Sequence, residues 1–390
     1  MSGSGTYTST PAKRCSRALA IGAFALLAAL LLAGADGGPP AAGSKGESEP
    51  PPAGVKLWPV EPPAVLAPTA PPPQRGIALG LYSEDPEWSY GFFFDEIKTT
   101  GASHVAIVVP WYMKDSRSST IFEHPRFTVP MSTVERAIAD ARERGLEVFL
   151  FPILRVEDQS DGGWRGSLSP RDVDAFFRNY TEYIVRFAHL AEALRVPLMS
   201  VGSELSTMDL HEQRWRRIIA AVRQVYRGEL TYSANWDHYR EVRFWDVLDH
   251  AGVTGYFELA DKHETPPDDP DLAQLIEAWR EHYMRLMRWQ HRTGKPLILT
   301  EVGYLSQRGA AARPWNEGAS EPIDLDLQRR CYEAFRKIWD DEPRLSGAYF
   351  WNWFGWGGPA SSEYTPRGKP AAQEIAAWYL PAAVKVADEP

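Results

Sequence analysis

From Gly76 onward the chain alternates short apolar runs with longer stretches whose apolar residues recur at helical spacing. That alternation is the signature of a parallel sheet wrapped by helices. Eight runs are expected to be strands: 76–81, 104–109, 147–153, 198–201, 230–234, 252–257, 297–300 and 347–351. Eight is the number that closes a (β/α)8 barrel, the TIM barrel, so the fold class expected is α/β with a single barrel domain.

The helices between the strands carry their own punctuation. One over 131–144 begins behind Pro130 and stops at Gly145, where a glycine suits the left-handed residue that ends a helix. A longer one is expected to begin at Pro170, with Asp172 and Asp174 in its first turn, and to run to about 195, since proline suits the first helical position and acids favour the positive end of the helix dipole. Further helices are expected over 211–226, 271–290, 324–339 and 371–379, the last closing the barrel.

The N-terminus breaks the pattern. Residues 1–17 are small, polar and basic, and 18–35 is an apolar run ending in Ala33, Gly34 and Ala35. This is the layout of a signal peptide, with an uncleaved membrane anchor through 18–35 as the alternative. Between 37 and 74 lie 12 of the 32 prolines with almost no apolar periodicity, which describes a semi-rigid linker rather than a core. The expected organisation is therefore a signal or anchor over 1–35, a proline-rich linker over 36–74 and a catalytic domain over 75–390. Such a protein is exported: secreted, periplasmic or tethered to the outer face of a membrane.

Composition narrows the function. A formal charge of −9 argues against nucleic acid as a partner. The two cysteines, Cys15 and Cys331, fall on opposite sides of the cleavage region, so no disulfide is expected within the mature domain. The histidines form no HxH or HExxH pair, and neither a GxSxG elbow nor a GxxxxGK[ST] loop occurs. Zinc, serine-hydrolase and nucleotide chemistries thus lack their usual residues, and neither metal nor cofactor is expected.

What remains is carboxylate chemistry. Glu204 follows the fourth apolar run in Val201-Gly202-Ser203-Glu204, and Glu301 follows the seventh in Leu299-Thr300-Glu301. In a barrel of this kind strand ends feed the face where reactive groups collect, and two carboxyls there can divide the work of breaking a glycosidic bond. Trp111, Arg155, Ser203, Asn235, Trp236, Asp237, Tyr256, Trp351 and Trp353 fall at or just past strand ends and are the candidate sugar-binding residues. Of the two tryptophans after strand eight, Trp351 is expected to face the mouth as a stacking platform for a sugar ring. Glu258 is a rival carboxylate.

Across roughly 76–380 the chain resembles the retaining glycoside hydrolases of clan A, and glycoside hydrolase family 113 in particular, whose described members are β-mannanases. The likeness rests on 201–206, on LTYSANWDHY at 230–239, on 244–249, on 255–257 and on TEVGYLS at 300–306. It implies that Glu204 is the acid/base, Glu301 the nucleophile and the substrate a β-linked polysaccharide or oligosaccharide such as β-1,4-mannan or glucomannan. Tyr256 would then hydrogen-bond the nucleophile. Many clan A enzymes carry Asn directly before the acid/base, where this chain has Ser203, so Asn235 is the candidate to reach the sugar instead. A non-catalytic carbohydrate-binding barrel, and a transglycosylase or hydrolase acting on a cell-envelope polysaccharide, are the alternatives.

Overall fold

The structure is a computed structural model that describes residues 72–262, 269–317 and 321–380. The signal or anchor over 1–35 and almost all of the linker lie outside the described residues, as does Cys15. Among the described residues no helix is long and apolar enough to cross a membrane.

Eight parallel strands close on themselves in chain order. They are β1 (Gln74–Gly80), β2 (His104–Met113), β3 (Glu147–Val156), β4 (Leu198–Ser203), β5 (Glu229–Ala234), β6 (Ala251–Thr254), β7 (Leu297–Val302) and β8 (Leu345–Phe350). β1 pairs with β2 on one side and with β8 on the other, which closes the ring. Around it lie α1 (Gly91–Thr99), α2 (Met131–Glu143), α3 (Val173–Ala193), α4 (Glu212–Val225), α5 (Leu272–Thr293), α6 (Leu325–Trp339) and α7 (Ala371–Tyr379). β5 and β6 are joined through a single 3-10 turn, Trp245–Val247.

Side-chain alternation sorts each strand into an inner and an outer face. On β8, Tyr349 meets Phe149 of β3 across the barrel at 5.1 Å, and Phe149 stacks on Phe151 at 5.0 Å. These rings fill the interior. Gly76 admits them, because a Cβ there would stand 2.2 Å from the Tyr349 ring. The next residue, Phe350, points outward onto Tyr332 and Phe335 of α6 and Trp378 of α7. Burying a side chain of this size contributes about 1.5–3 kcal/mol.

Two expectations need correcting. The long helix begins at Val173, not at Pro170: Asp172 is its N-cap and accepts a hydrogen bond from the Ala175 amide at 2.8 Å. A capping carboxylate satisfies an amide that has no partner within the helix, and here it outweighs the proline signal. Helix α1 has no counterpart among the expected helices. Its cap position is Tyr90, whose side chain makes no capping hydrogen bond to the helix, and its sequence opens Gly-Phe-Phe-Phe, so neither capping nor propensity marks it. It forms because Phe93, Phe94 and Ile97 bury one face.

Candidate active site

Irregular backbone brings both glutamates to the C-terminal mouth of the barrel. The ladder between β4 and β5 shifts register between Ser200 and Ser203, and Glu204 then adopts a left-handed conformation with φ of 54°. For a residue with a Cβ this costs about 1–2 kcal/mol. Two backbone bonds hold it: the Glu204 amide donates to the Ser233 carbonyl at 2.8 Å, and the Leu205 amide donates to the Tyr232 hydroxyl at 2.9 Å. Tyr232 in turn donates to Asp209, whose carboxyl is buried and pushed well above the ordinary range by desolvation. The turn into Glu204 brings the carboxylate to the inner side directly after Ser203.

Glu301 arrives by a different device. β7 shifts register against β8 between Leu299 and Val302, and against β6 at Val253 and Thr254. A bulge of this kind re-aims a side chain at a strand end. Thr300 already points inward, since its hydroxyl meets that of Ser233 at 2.6 Å. The shift lets the neighbouring Glu301 turn inward as well. Only 1% of Glu301 is exposed, and two hydroxyls converge on it: Tyr256 donates to Oε2 at 2.9 Å and Ser203 donates to Oε1 at 3.4 Å.

Burial first, and then the Glu204 carboxylate, push the Glu301 carboxyl above the ordinary range, while Arg165 and the Tyr256 hydrogen bond act the other way. The Glu301 carboxyl is therefore harder to ionise than an ordinary one. Tyr256 and Ser203 favour the anion on Glu301. On the other side Arg165 donates to Glu204 Oε2 at 2.5 Å.

Arg165 was not among the residues expected from the sequence. It sits on a short 3-10 turn, Arg165–Ser167, within the loop after β3, and its side chain is a fifth exposed. β3 runs three residues further than expected, so the loop begins later. The run Gly-Gly-Trp-Arg-Gly at 162–166, in a long loop on the mouth face, is the signal that could have singled it out. Tyr82 and Tyr364 were missed as well. Tyr82 is partly buried, with its hydroxyl enclosed and unpartnered, and the charges of Arg155 and Glu301 both act on it. Tyr364 packs 5.8 Å from Tyr256.

The remaining candidates divide. Arg155 lies on the inner face of β3 by alternation from Phe149 and Phe151, and is half-buried near Tyr82. Trp351 continues the inner face of β8 beyond Tyr349, and its amide donates to the Val302 carbonyl at 2.8 Å, beside Glu301. Residues two apart share a face in a strand, but β8 ends at Phe350 and the chain then diverges. Trp353 is buried with its indole donating to Glu96 of α1 at 3.0 Å.

Trp111 is not at the mouth. Its ring lies against Tyr183, Phe187 and Arg186 of α3, on the outside of the barrel. Trp236 likewise turns outward, toward Phe257 and a groove of about 630 Å³ along α5, which Glu258 also lines. Glu258 pairs with Lys262 at 2.9 Å, which removes it as a rival carboxylate of the pair. Asn235 directs its carbonyl oxygen to the Trp236 amide at 3.0 Å, and Asp237 is exposed on the turn that follows.

Two facing carboxyls, each with its own donors, at the mouth of an eight-stranded barrel can protonate one oxygen while attacking the carbon beside it. The family model of Glycoside Hydrolase Family 113 matches residues 92–369, most of the barrel and both carboxyls. The chain belongs to that family. It is a glycoside hydrolase. Among solved structures it is similar to the GH113 β-mannanase AaManA from Alicyclobacillus acidocaldarius in complex with ManMIm. The identity is 27%, covering 79% of this chain and 97% of that one, with a TM-score of 0.70. A GH113 β-1,4-mannanase in complex shares the fold at 22% identity, covering 79% of this chain and 99% of that one, with a TM-score of 0.70. The endoglucanase Cel5A from the hyperthermophilic Thermotoga maritima shares it more distantly, at 15% identity and a TM-score of 0.51 over 78% of this chain and 96% of that one. Among curated proteins none matches the chain.

Proposed function

We propose that this family 113 hydrolase cleaves β-1,4-mannan or glucomannan with retention of configuration. The observation that carries the mechanism is the asymmetric set of donors around the two carboxyls: Tyr256 and Ser203 on Glu301, Arg165 on Glu204. Burial raises the Glu301 carboxyl, and it attacks from its ionised form, which the two hydroxyl donors favour. Glu301 bonds to the anomeric carbon as Glu204 gives its proton to the departing glycosidic oxygen. A water then attacks the same carbon, yielding its proton to Glu204 and releasing Glu301.

Tyr256 remains a phenol throughout, because burial and the Glu301 charge push its pKa well above the ordinary value. It can therefore keep donating to the nucleophile. The substrate class is supported by the family and by the β-mannanases of similar structure. Trp351, one residue past β8 with its amide bonded to the Val302 carbonyl, is the platform proposed for the sugar ring. The signal-like segment over 1–35 supports export, which N-terminal sequencing of the mature protein checks.

The experiment is a panel of β-glycans with the anomer of the first product followed by NMR. Mannan and glucomannan are expected to be cleaved, giving first the β-anomer. An initial α-anomer would overturn retention, and cleavage of glucan with mannan untouched would overturn the substrate.

A further inference from the structure

Trp164 and Arg165 stand together beside Glu204 with features that a structural turn does not need. Trp164 keeps 37% of its surface exposed on the mouth face. Its ring packs close against Gly166, where a Cβ would come within 2.2 Å of it. The Arg165 guanidinium lies 5.9 Å from the centre of that ring and donates to Glu204 Oε2 at 2.5 Å. Its Nε is buried without a partner. The turn is also tied to the segment that follows Glu204, since the Thr207 amide donates to the Gly166 carbonyl at 3.2 Å.

An exposed indole is a stacking face for a sugar ring, and a guanidinium that is a fifth exposed, with an N–H still unpartnered, can turn to donate to a sugar hydroxyl. The acid of a glycosidase must lie within hydrogen-bond reach of the leaving oxygen, so the sugar next to Glu204 on this side is the one that departs. We propose that Trp164 and Arg165 form the subsite for the leaving-group sugar, and that this sugar, once seated, takes Arg165 off Glu204 so that the acid is armed by the substrate itself. The inference rests on the acid/base role proposed above for Glu204. The charged and titratable groups acting on Arg165 are Glu204, Glu301, Glu317 and Tyr256, and Arg165 acts in turn on Tyr82.

Two substrates built on the sugar that the wild-type protein cleaves separate the proposal from its alternatives. One is an oligosaccharide, which places a sugar in the leaving position; the other is an aryl glycoside with a good leaving group, which does not. Trp164→Ala is expected to lower kcat/KM on the oligosaccharide about tenfold and on the aryl glycoside about twofold. Equal losses on both, or none on either, would overturn the subsite.

The pH profiles test the release of Arg165. On the oligosaccharide, kcat/KM reports the free enzyme, with Arg165 on Glu204, and kcat reports the complex, with Arg165 taken up by sugar. The basic limb of kcat is therefore expected at higher pH than that of kcat/KM. Arg165→Met should raise the kcat/KM limb until the two coincide. Limbs that coincide in the wild type, or stay apart in Arg165→Met with an unchanged melting temperature, would overturn the release. If no β-glycan is cleaved, the proposed function and this inference fall together; if glycans are cleaved and the variants respond alike on both substrates, only this inference falls.

Discussion

The ends of β4 and β7 solve one problem in two ways. Each must turn a glutamate inward where strict alternation would send it out. At β4 the solution is a left-handed residue, held from behind by Tyr232 and Asp209. At β7 it is a bulge, and the carboxyl is held from the front by Tyr256 and Ser203. The Glu204 side thus depends on buried scaffolding and one largely covered arginine. The Glu301 side depends on hydroxyls that touch the carboxylate itself. Damage behind β4 should therefore appear mainly as lost stability, and damage around β7 mainly as lost turnover.

The sharpest contrast is between the carboxyls themselves. Glu301→Ala should lower turnover on every substrate by on the order of 10⁵ or more, since no covalent intermediate can form. Glu204→Ala should cost about 10² to 10⁴ on a natural glycan and far less on an activated aryl glycoside, which departs without a proton. Azide should rescue that variant and give a glycosyl azide of retained configuration. Rescue of Glu301→Ala alone would reverse the roles.

Tyr256→Phe should lower kcat by roughly 10²-fold by removing a donor from the nucleophile, leaving the melting temperature close to wild type. Tyr232→Phe should do the reverse. It strands the Leu205 amide and the Asp209 carboxyl, at a cost of about 1–3 kcal/mol that thermal unfolding would register. Equal effects of the two variants on turnover would erase the distinction between the strand ends.

A smaller effect follows from the raised pKa of Glu301. From the ordinary carboxylate value upward, the unfolded chain loses this proton while the folded one keeps it. Stability is therefore lost as pH rises through that window, at up to about 1.4 kcal/mol per unit. Glu301→Gln, which cannot ionise, should unfold at higher temperature than wild type, with the difference growing as pH rises from 5 toward neutrality. A difference independent of pH would mean that Glu301 does not hold the proton.

The barrel itself was legible because closing eight strands demands apolar runs at regular intervals, and every expected run overlaps a strand. Glu204 and Glu301 were legible for the same reason, as polar residues placed where the runs stop. Trp111 and Trp236 misled because sequence gives nearness to a strand end but not the facing of the side chain, and both turn toward helices. Arg165 was hidden by distance: it lies nine residues beyond β3, on a turn whose position depends on Gly166 and Thr207 rather than on any strand periodicity. Helix α1 escaped because what holds it is tertiary: the face it buries and the bonds of Asp95 and Glu96 to residues far along the chain.

The aromatic rings of Phe149, Phe151 and Tyr349 have a consequence for traffic. Among the described residues they fill the barrel beneath the carboxyls, so substrate and product share the mouth. A polysaccharide must lie across the mouth and cannot thread through it. Its fragments leave by the face at which the next chain arrives. Short products that accumulate should therefore compete with fresh chains for the same opening, and progress curves should slow before the polymer is exhausted.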